Sequence, residues 1–364
     1  MEKTRLLNKP EDYKKIGVKK DRIEPWEDGR RDDSRPNAFE WWYFDSILDD
    51  GTKIMVAFYD KPLLRSSENG LIPHVELRVT FPDGKDFVEF FDHPSDESEF
   101  PRERCDLKIG PHKFVGDLKE YTIQINPING LGADLKLKSL GQSWRPGAGY
   151  LAFGDKDEDY LTWLCCVPKG EVTGTITVNG KTSKVHGYGY HDHQWGSIYP
   201  LFIFNHWIWI RQNVGEYNIL VFDFLTSQKY GYKRYPLCFI QDKDGNIIFE
   251  NFESAKFEVI EEYLQELTGK YHPKRFKYTF ENGGKTVEYT INSDAELEVR
   301  DEYKIAAETT QAVYDALQMQ PSYTRYSATG ELIIKEGADE IKASSSLIYE
   351  MVYSTKEYKE LALT

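Results

Sequence analysis

The sequence predicts a nearly all-β protein of the sandwich or barrel type, divided into two domains. Three observations carry this. Short runs with period-two alternation recur along the chain, closed by turn signals such as Asp49-Asp50-Gly51 and Asn179-Gly180. The aromatic content is 14%, with 24 Tyr, 20 Phe and 8 Trp, whose flat rings suit a pleated face. At 364 residues the chain is also longer than one compact core usually serves.

In chain order, residues 40–48 read as an aromatic strand that forms a hairpin with 53–59 across the Asp49-Asp50-Gly51 turn. Strands follow at 77–81, 121–125 and 161–167, then a hairpin of 172–178 with 181–185 around Asn179-Gly180. The second half carries strands at 202–210, 217–225, 237–241, 247–252, 276–280, 286–291, 331–335 and 346–353. Two stretches, 261–268 and 306–319, are the best helical candidates, and the Gly-rich stretch 129–150 reads as a long loop.

Charge and composition narrow the partners. A formal net charge of -14 argues against nucleic acid and anionic membrane surfaces. No run of eighteen apolar residues offers a membrane span, and the charged first 35 residues do not resemble a signal peptide, so the cytoplasm is the expected compartment. Cys105, Cys165, Cys166 and Cys238 have no CxxC spacing and read as small buried hydrophobes. Nothing in the pattern specifies an oligomeric state.

Three segments concentrate unusual residues. In the first, Trp41 and Tyr43 share one strand face, and Glu40, Trp42 and Phe44 share the other. A carboxylate beside two tryptophans is costly to bury unless paired, so Glu40 either caps a loop, meets an arginine such as Arg35, or serves a pocket. The second is Gly187-Tyr188-Gly189-Tyr190-His191-Asp192-His193-Gln194-Trp195-Gly196, whose glycines would let the backbone bend. Alternation points His191, His193 and Trp195 one way and Asp192 and Gln194 the other. A two-His-one-carboxylate metal triad would need its acid on the histidine face, so a hydrogen-bonded His and Asp arrangement is favoured over metal. In the third, Trp207 and Trp209 share a face with Asn205, opposite His206. Asp223 lies on an otherwise apolar face with Ile219, Val221 and Leu225. Desolvation there would favour the protonated acid and make Asp223 a proton donor, and an ion pair with Arg211 or Lys229 is the bland alternative.

The sequence has no GxSxG, P-loop, dinucleotide GxGxxG or HExxH motif. Glu40-Trp41-Trp42-Tyr43 together with Gly189-Tyr190-His191-Asp192-His193-Gln194-Trp195-Gly196 resembles the carotenoid hydratase (hydroxyneurosporene synthase) and AttH-like family, related to fungal Diels–Alderases. The resemblance runs from about Pro25 to the C-terminus. It implies two lipocalin-like β domains, a substrate pocket, and neither metal nor organic cofactor. On this basis an N-terminal arm (1–25) precedes domains at 26–197 and 198–364. The His-x-Trp of the hydratases matches His193-Gln194-Trp195. Their Tyr-x-Asp corresponds best to Val221-Phe222-Asp223, which keeps the acid and replaces the tyrosine with Val221.

The leading expectation is therefore an enzyme acting on a carbon–carbon double bond of an apolar, isoprenoid or polyene-like molecule. Asp223 would protonate the alkene, and His193 would set its protonation or position water. Trp195, Trp207 and Trp209 would shield a cation, and Trp41, Tyr43, His191 and Val221 would line the substrate, with Glu40 and Asp192 in support. A pericyclase-type isomerase that works by shape and a non-catalytic lipophilic carrier are the alternatives.

Overall fold

In the computed structural model, residues 2–32, 34–62, 65–252 and 255–355 are described. The expected all-β class is what the chain adopts, and it falls into two compact units. One runs from Arg5 to Tyr199; the other begins at Pro200 and also takes in the start of the chain through Thr4. Among the described residues no helix is long and apolar enough to cross a membrane.

The first unit opens with β1 (Thr4–Leu6) and α1 (Pro10–Ile16), whose Tyr13 packs with Leu7, Ala148 and Ala152. The strands that follow are β2 (Phe39–Leu48), β3 (Lys53–Tyr59), β4 (His74–Thr80), β5 (Asp86–Asp92), β6 (Ser98–Glu99), β7 (Asp106–Ile109) and β8 (His112–Gly116). Then come β9 (Glu120–Ile128), β10 (Leu131–Ser139), β11 (Tyr150–Phe153), β12 (Asp159–Val178) and β13 (Lys181–Gly196). They form one antiparallel sheet in the order β5-β4-β3-β2-β13-β12-β10-β9-β8-β7-β6, with β11 beside β12 and β1 beside β11. The sheet curls on itself: Phe58 of β3 meets Phe114 of β8 at 5.7 Å, and Phe91 of β5 stacks on His112 of β8 at 5.0 Å. A sheet with one apolar face must close in this way to bury it.

Two expectations change here. Much of the stretch 129–150 is strand β10, because Leu131, Ala133, Leu135 and Leu137 alternate inward and outweigh its glycine content. The glycines around the histidine motif do not bend the chain. Gly187, Gly189 and Gly196 lie within β13, and a Cβ on Gly187 would sit 2.4 Å from the Ile47 carbonyl oxygen. They let β2 and β13 approach closely.

The second unit holds α2 (Pro200–Ile203), then β14 (Phe204–Val214), β15 (Tyr217–Thr226), β16 (Arg234–Gln241), β17 (Ile247–Asn251), β18 (Ala255–Gln265) and β19 (Lys270–Asn282). After β20 (Lys285–Arg300) come α3 (Glu302–Ile305), α4 (Glu308–Ala316), β21 (Met319–Glu336) and β22 (Asp339–Thr355). The sheet order is β17-β16-β15-β14-β22-β21-β20-β19-β18. Curling brings β17 to β19, where the Asn251 side chain donates to the Glu281 carbonyl at 3.1 Å and Asn282 donates to the Glu250 carbonyl at 2.7 Å. The helical expectation for 306–319 matches α4 in its centre. That for 261–268 is overturned, since 261–265 belong to β18 and pair with β19. Helix-favouring Glu and Leu residues there are overruled by pairing to the sheet.

Candidate functional site

In the first unit, β2 and β13 pair in a register that sets His193 opposite Trp42 and His191 opposite Phe44. His191, His193 and Trp195 point into the curled sheet together with Glu40 and Trp42, and all are buried. They converge on Asp28, which follows a single 3-10 turn (Pro25–Asp28) and was not evident as a candidate from sequence. Asp28 Oδ2 accepts the Tyr121 hydroxyl at 2.6 Å and lies 3.2 Å from His191 Nε2, and Oδ1 is 3.4 Å from His193 Nδ1. Trp42 Nε1 donates to the Asp28 carbonyl at 2.9 Å.

Proton bookkeeping follows from these contacts. His191 Nδ1 lies 2.8 Å from the Tyr43 carbonyl, which only accepts, so Nδ1 carries a proton. Burial pushes the Asp28 carboxyl up, but the two imidazoles outweigh it and hold the group below its usual range.

His193 Nε2 is 2.8 Å from Glu40 Oε1. Burial raises Glu40 to about 8, against the pull of the Asp32 and Arg31 amides, and lowers His193 to about 3. The shared proton therefore sits on Glu40. That carboxyl also accepts the Arg31 amide at 2.6 Å and the Asp32 amide at 2.8 Å, so it caps the loop before β2, and its partners are amides rather than the guanidinium of Arg35. Asp60 continues the network, accepting the Ser34 hydroxyl at 2.5 Å and the Glu40 amide at 3.0 Å.

Among the described residues, Asp28, Cys105 and His191 place one potential ligand atom each within 4.8 Å and are the set that could hold a cation. Burial pushes the Cys105 thiol well up, which disfavours the thiolate a metal requires. Asp192 lies on the opposite face of β13, where its Oδ2 accepts from Tyr190 at 2.8 Å, Trp163 at 3.0 Å and Gln194 at 3.1 Å. Trp195 Nε1 donates to the Tyr150 hydroxyl at 3.3 Å. The expectation that Trp41 and Tyr43 line the same space does not match the geometry. Both are half-buried on the outward face of β2, Trp41 stacked on Phe39 at 4.6 Å and the Tyr43 hydroxyl 3.2 Å from Asp45.

The second unit has its own buried polar groups. Asp223 faces inward on β15 with Val221, in register with Ile208 of β14, and is fully buried. Its Oδ2 accepts the Tyr278 hydroxyl at 2.7 Å and pairs with Arg234, which also lies 4.0 Å over the Phe257 ring. Arg234, rather than Arg211 or Lys229, is its cation. Burial raises the Asp223 carboxyl although Arg234 and Tyr278 both oppose it. Asp223 Oδ1 has no hydrogen-bond partner among the described residues. Trp207 and Trp209 lie on the other face of β14, half-buried, with Arg211 5.2 Å from the Trp209 ring centroid, so the interior aromatic wall is made by Phe276, Tyr278 and Tyr349 instead.

Further along β19, Lys270 and His272 share the inward face with Phe276 and Tyr278. Alternation does not carry this signal through from Phe276, because the register shifts opposite 273–275 and Lys274, of the same parity, is exposed. Burial lowers Lys270 to about 7 and His272 to about 3. His193 and Asp223 thus belong to different units, each held by hydrogen bonds within its own sheet.

Residues 86–330 match the model of the Svf1 family. Over 242 residues the chain is 28% identical to the quinolone epoxide rearrangement protein of Penicillium thymicola, a match covering 59% of this chain and 62% of that protein, so it spans less than two thirds of the relative's length. Among solved structures, an AttH-type protein from Nitrosomonas europaea gives a TM-score of 0.59 at 16% identity, covering 92% of this chain and 98% of that one. CghA with Sch210972 gives 0.57 at 12% identity, covering 88% and 89%. Kievitone hydratase from Nectria haematococca gives 0.50 at 16% identity, covering 89% and 92%. At such identities the likeness is one of fold.

Proposed function

The chain belongs to the Svf1 family, and from that premise we propose an enzyme that rearranges an apolar small molecule at a C=C bond or an epoxide, using proton transfer by its own side chains. The observation that carries this reading is the state of Asp223. It is a fully buried carboxyl with one oxygen fixed by Tyr278 and Arg234 and the other without a partner in an apolar interior. The epoxide rearrangement relative and the hydratase and CghA folds are consistent with such chemistry.

In the proposed step the protonated Oδ1 gives its proton to an alkene carbon or an epoxide oxygen. The carboxylate left behind is stabilised by the Tyr278 hydroxyl and Arg234, both already in place. The cation formed on the substrate faces the rings of Phe276, Tyr278 and Tyr349. Return of a neighbouring proton to Asp223 gives an isomer; capture of water gives a hydrate. The hydroxyl lost where Val221 replaces a tyrosine is supplied to the same carboxyl by Tyr278 from another strand, which keeps a carotenoid-hydratase-like reaction within reach.

The test is extraction of the purified protein with organic solvent, comparing wild type with Asp223→Asn by mass spectrometry. The variant should retain a precursor that added wild-type protein converts to an isomer or hydrate, with turnover by the variant down about 10²–10⁴-fold. If both proteins release one molecule that neither converts, the enzyme reading fails and a carrier takes its place.

A further inference from the structure

The interior of the second unit contains a second chemical feature that the Asp223 step does not use. His272 Nδ1 lies 2.6 Å from the Tyr326 hydroxyl, which lies 2.9 Å from the Tyr263 hydroxyl, which in turn donates to Glu296 at 2.5 Å. Glu296 is exposed, while Tyr326 and His272 are buried. The directions of these bonds are forced. A carboxylate only accepts, so the Tyr263 proton points to Glu296; Tyr263 must then accept from Tyr326, and Tyr326 from His272 Nδ1–H. With burial holding the imidazole neutral, His272 Nε2 is left as a bare acceptor. It has no hydrogen-bond partner among the described residues, and neither has Thr324 Oγ1 on the inward face of β21.

Two positions from His272 on the same strand face stands Lys270, 3% exposed, with Nζ donating to the Gln320 carbonyl and to Ser322 Oγ at 3.0 Å. Asp301, the carboxylate whose charge reaches it, is paired with Lys304 at 3.0 Å. Arg234 is turned to Asp223 Oδ2. The ammonium of Lys270 therefore has neutral acceptors only, and a negative oxygen beside it would be favoured.

We infer that His272 and Lys270 form a second acid–base site, which removes a proton from the carbon next to the carbonyl of an apolar ketone. The C–H bond breaks, its proton goes to His272 Nε2, and its electron pair moves onto the carbonyl oxygen as an enolate held by Lys270. A buried imidazolium is unfavourable, so the Nδ1 proton leaves as Nε2 gains one, passing through Tyr326 and Tyr263 to Glu296 and solvent. Reversal with a solvent proton restores the ketone, and no co-reactant is consumed. His272 and Lys270 are the catalytic residues; Tyr326, Tyr263 and Glu296 relay the proton.

The experiment is deuterium exchange into a long-chain saturated dialkyl monoketone incubated with the full-length protein in heavy water, buffered on the acid side of neutrality and read by mass spectrometry. The probe has neither alkene nor epoxide, so its outcome is independent of the reading centred on Asp223. Wild type should accelerate exchange above buffer, and His272→Phe and Lys270→Met should abolish the acceleration. Tyr326→Phe, which keeps the ring stacked on Tyr349 at 4.7 Å, should slow it at least about tenfold. Glu296→Gln, at the exposed end, should slow it and be rescued by added acetate, which a structural role would not show. Exchange no faster than buffer with wild type, exchange undiminished in the folded Tyr326→Phe protein, or a Glu296→Gln defect that acetate does not restore would each overturn the proposal.

Discussion

The two units bury similar sets of groups and treat them differently. Around Asp28 in the first, acids and imidazoles face one another: the carboxylate lies beside His191 and His193, and the Glu40 carboxyl is shared between His193 and two loop amides, while Asp28 Oδ1 and His193 Nδ1, 3.4 Å apart, complete no hydrogen bond. Around Asp223 and His272 in the second, the inward groups are fixed by one atom and left open at the other. A buried polar atom without a partner carries a desolvation cost wherever it stands, and in the second unit it belongs to an acid and an imidazole whose other polar atom is already fixed. Residue type is therefore a poor guide to chemistry here. The histidine-rich motif draws the eye, yet its imidazoles chiefly meet acids and a carbonyl of the same unit and tie β13 to the loop before β2.

The largest effect expected from this contrast is on stability. Asp28→Asn removes the charge facing two buried imidazoles and should cost about 3–5 kcal/mol in urea unfolding of the first unit. Asp223→Asn keeps an acceptor oxygen for Arg234 and Tyr278 where the neutral acid stood, and Arg234 retains some access to water, with 16% of its side chain exposed, so the cost should be smaller, about 1–2 kcal/mol. Equal losses at the two positions would break the comparison.

A pH series sharpens it. Glu40 is raised from 4.5 to about 8, so folding takes up a proton across that window. Its favourable contribution is whole below about pH 4.5 and is lost as the pH climbs to about 8. His193, lowered from 6.5 to about 3, acts in the opposite sense: its contribution is present above 6.5 and lost toward acid. The two offset one another where the windows overlap, and Glu40 acts alone from about 6.5 upward. Stability of wild type relative to Glu40→Gln should therefore fall by up to about 1 kcal/mol per pH unit toward pH 8. A flat difference between the two proteins would mean that Glu40 is ionised in the fold.

Alternation made the fold class and the facing of single strands readable: His191, His193 and Trp195 do share a face, as do Val221 and Asp223. What alternation cannot report is which face of a two-sided aromatic strand turns inward. Residues 40–44 carry large rings on both sides, and the side with Glu40 and Trp42 is the buried one, because the amides of Arg31 and Asp32 and the ring of His193 satisfy that carboxyl. Asp28, Tyr121, Arg234 and Tyr278 were hidden for a related reason. Their partners lie 93 residues away in one pair and 55 in another, and no local pattern encodes such pairings.

The smallest expected effect concerns the tryptophans that the sequence placed at the substrate. Trp207 and Trp209 stand opposite Phe224 and Phe222 across the ladder, on the face of β14 turned away from Asp223. A ring there cannot present its π face to a cation formed beside Asp223 Oδ1. Trp207→Phe should accordingly change turnover of the extracted precursor less than about twofold, and the cation–π contact with Arg211 that Trp209→Phe weakens is worth about 0.5–1 kcal/mol at a partly exposed site. By contrast, Phe276→Leu keeps an apolar side chain on the inward face and removes a ring from the interior wall, so it should slow turnover about tenfold for each 1.4 kcal/mol of cation stabilisation lost. If Trp207→Phe proves the more damaging of the two, the reacting centre lies on the outer face of the sheet, and Asp223 is not the acid.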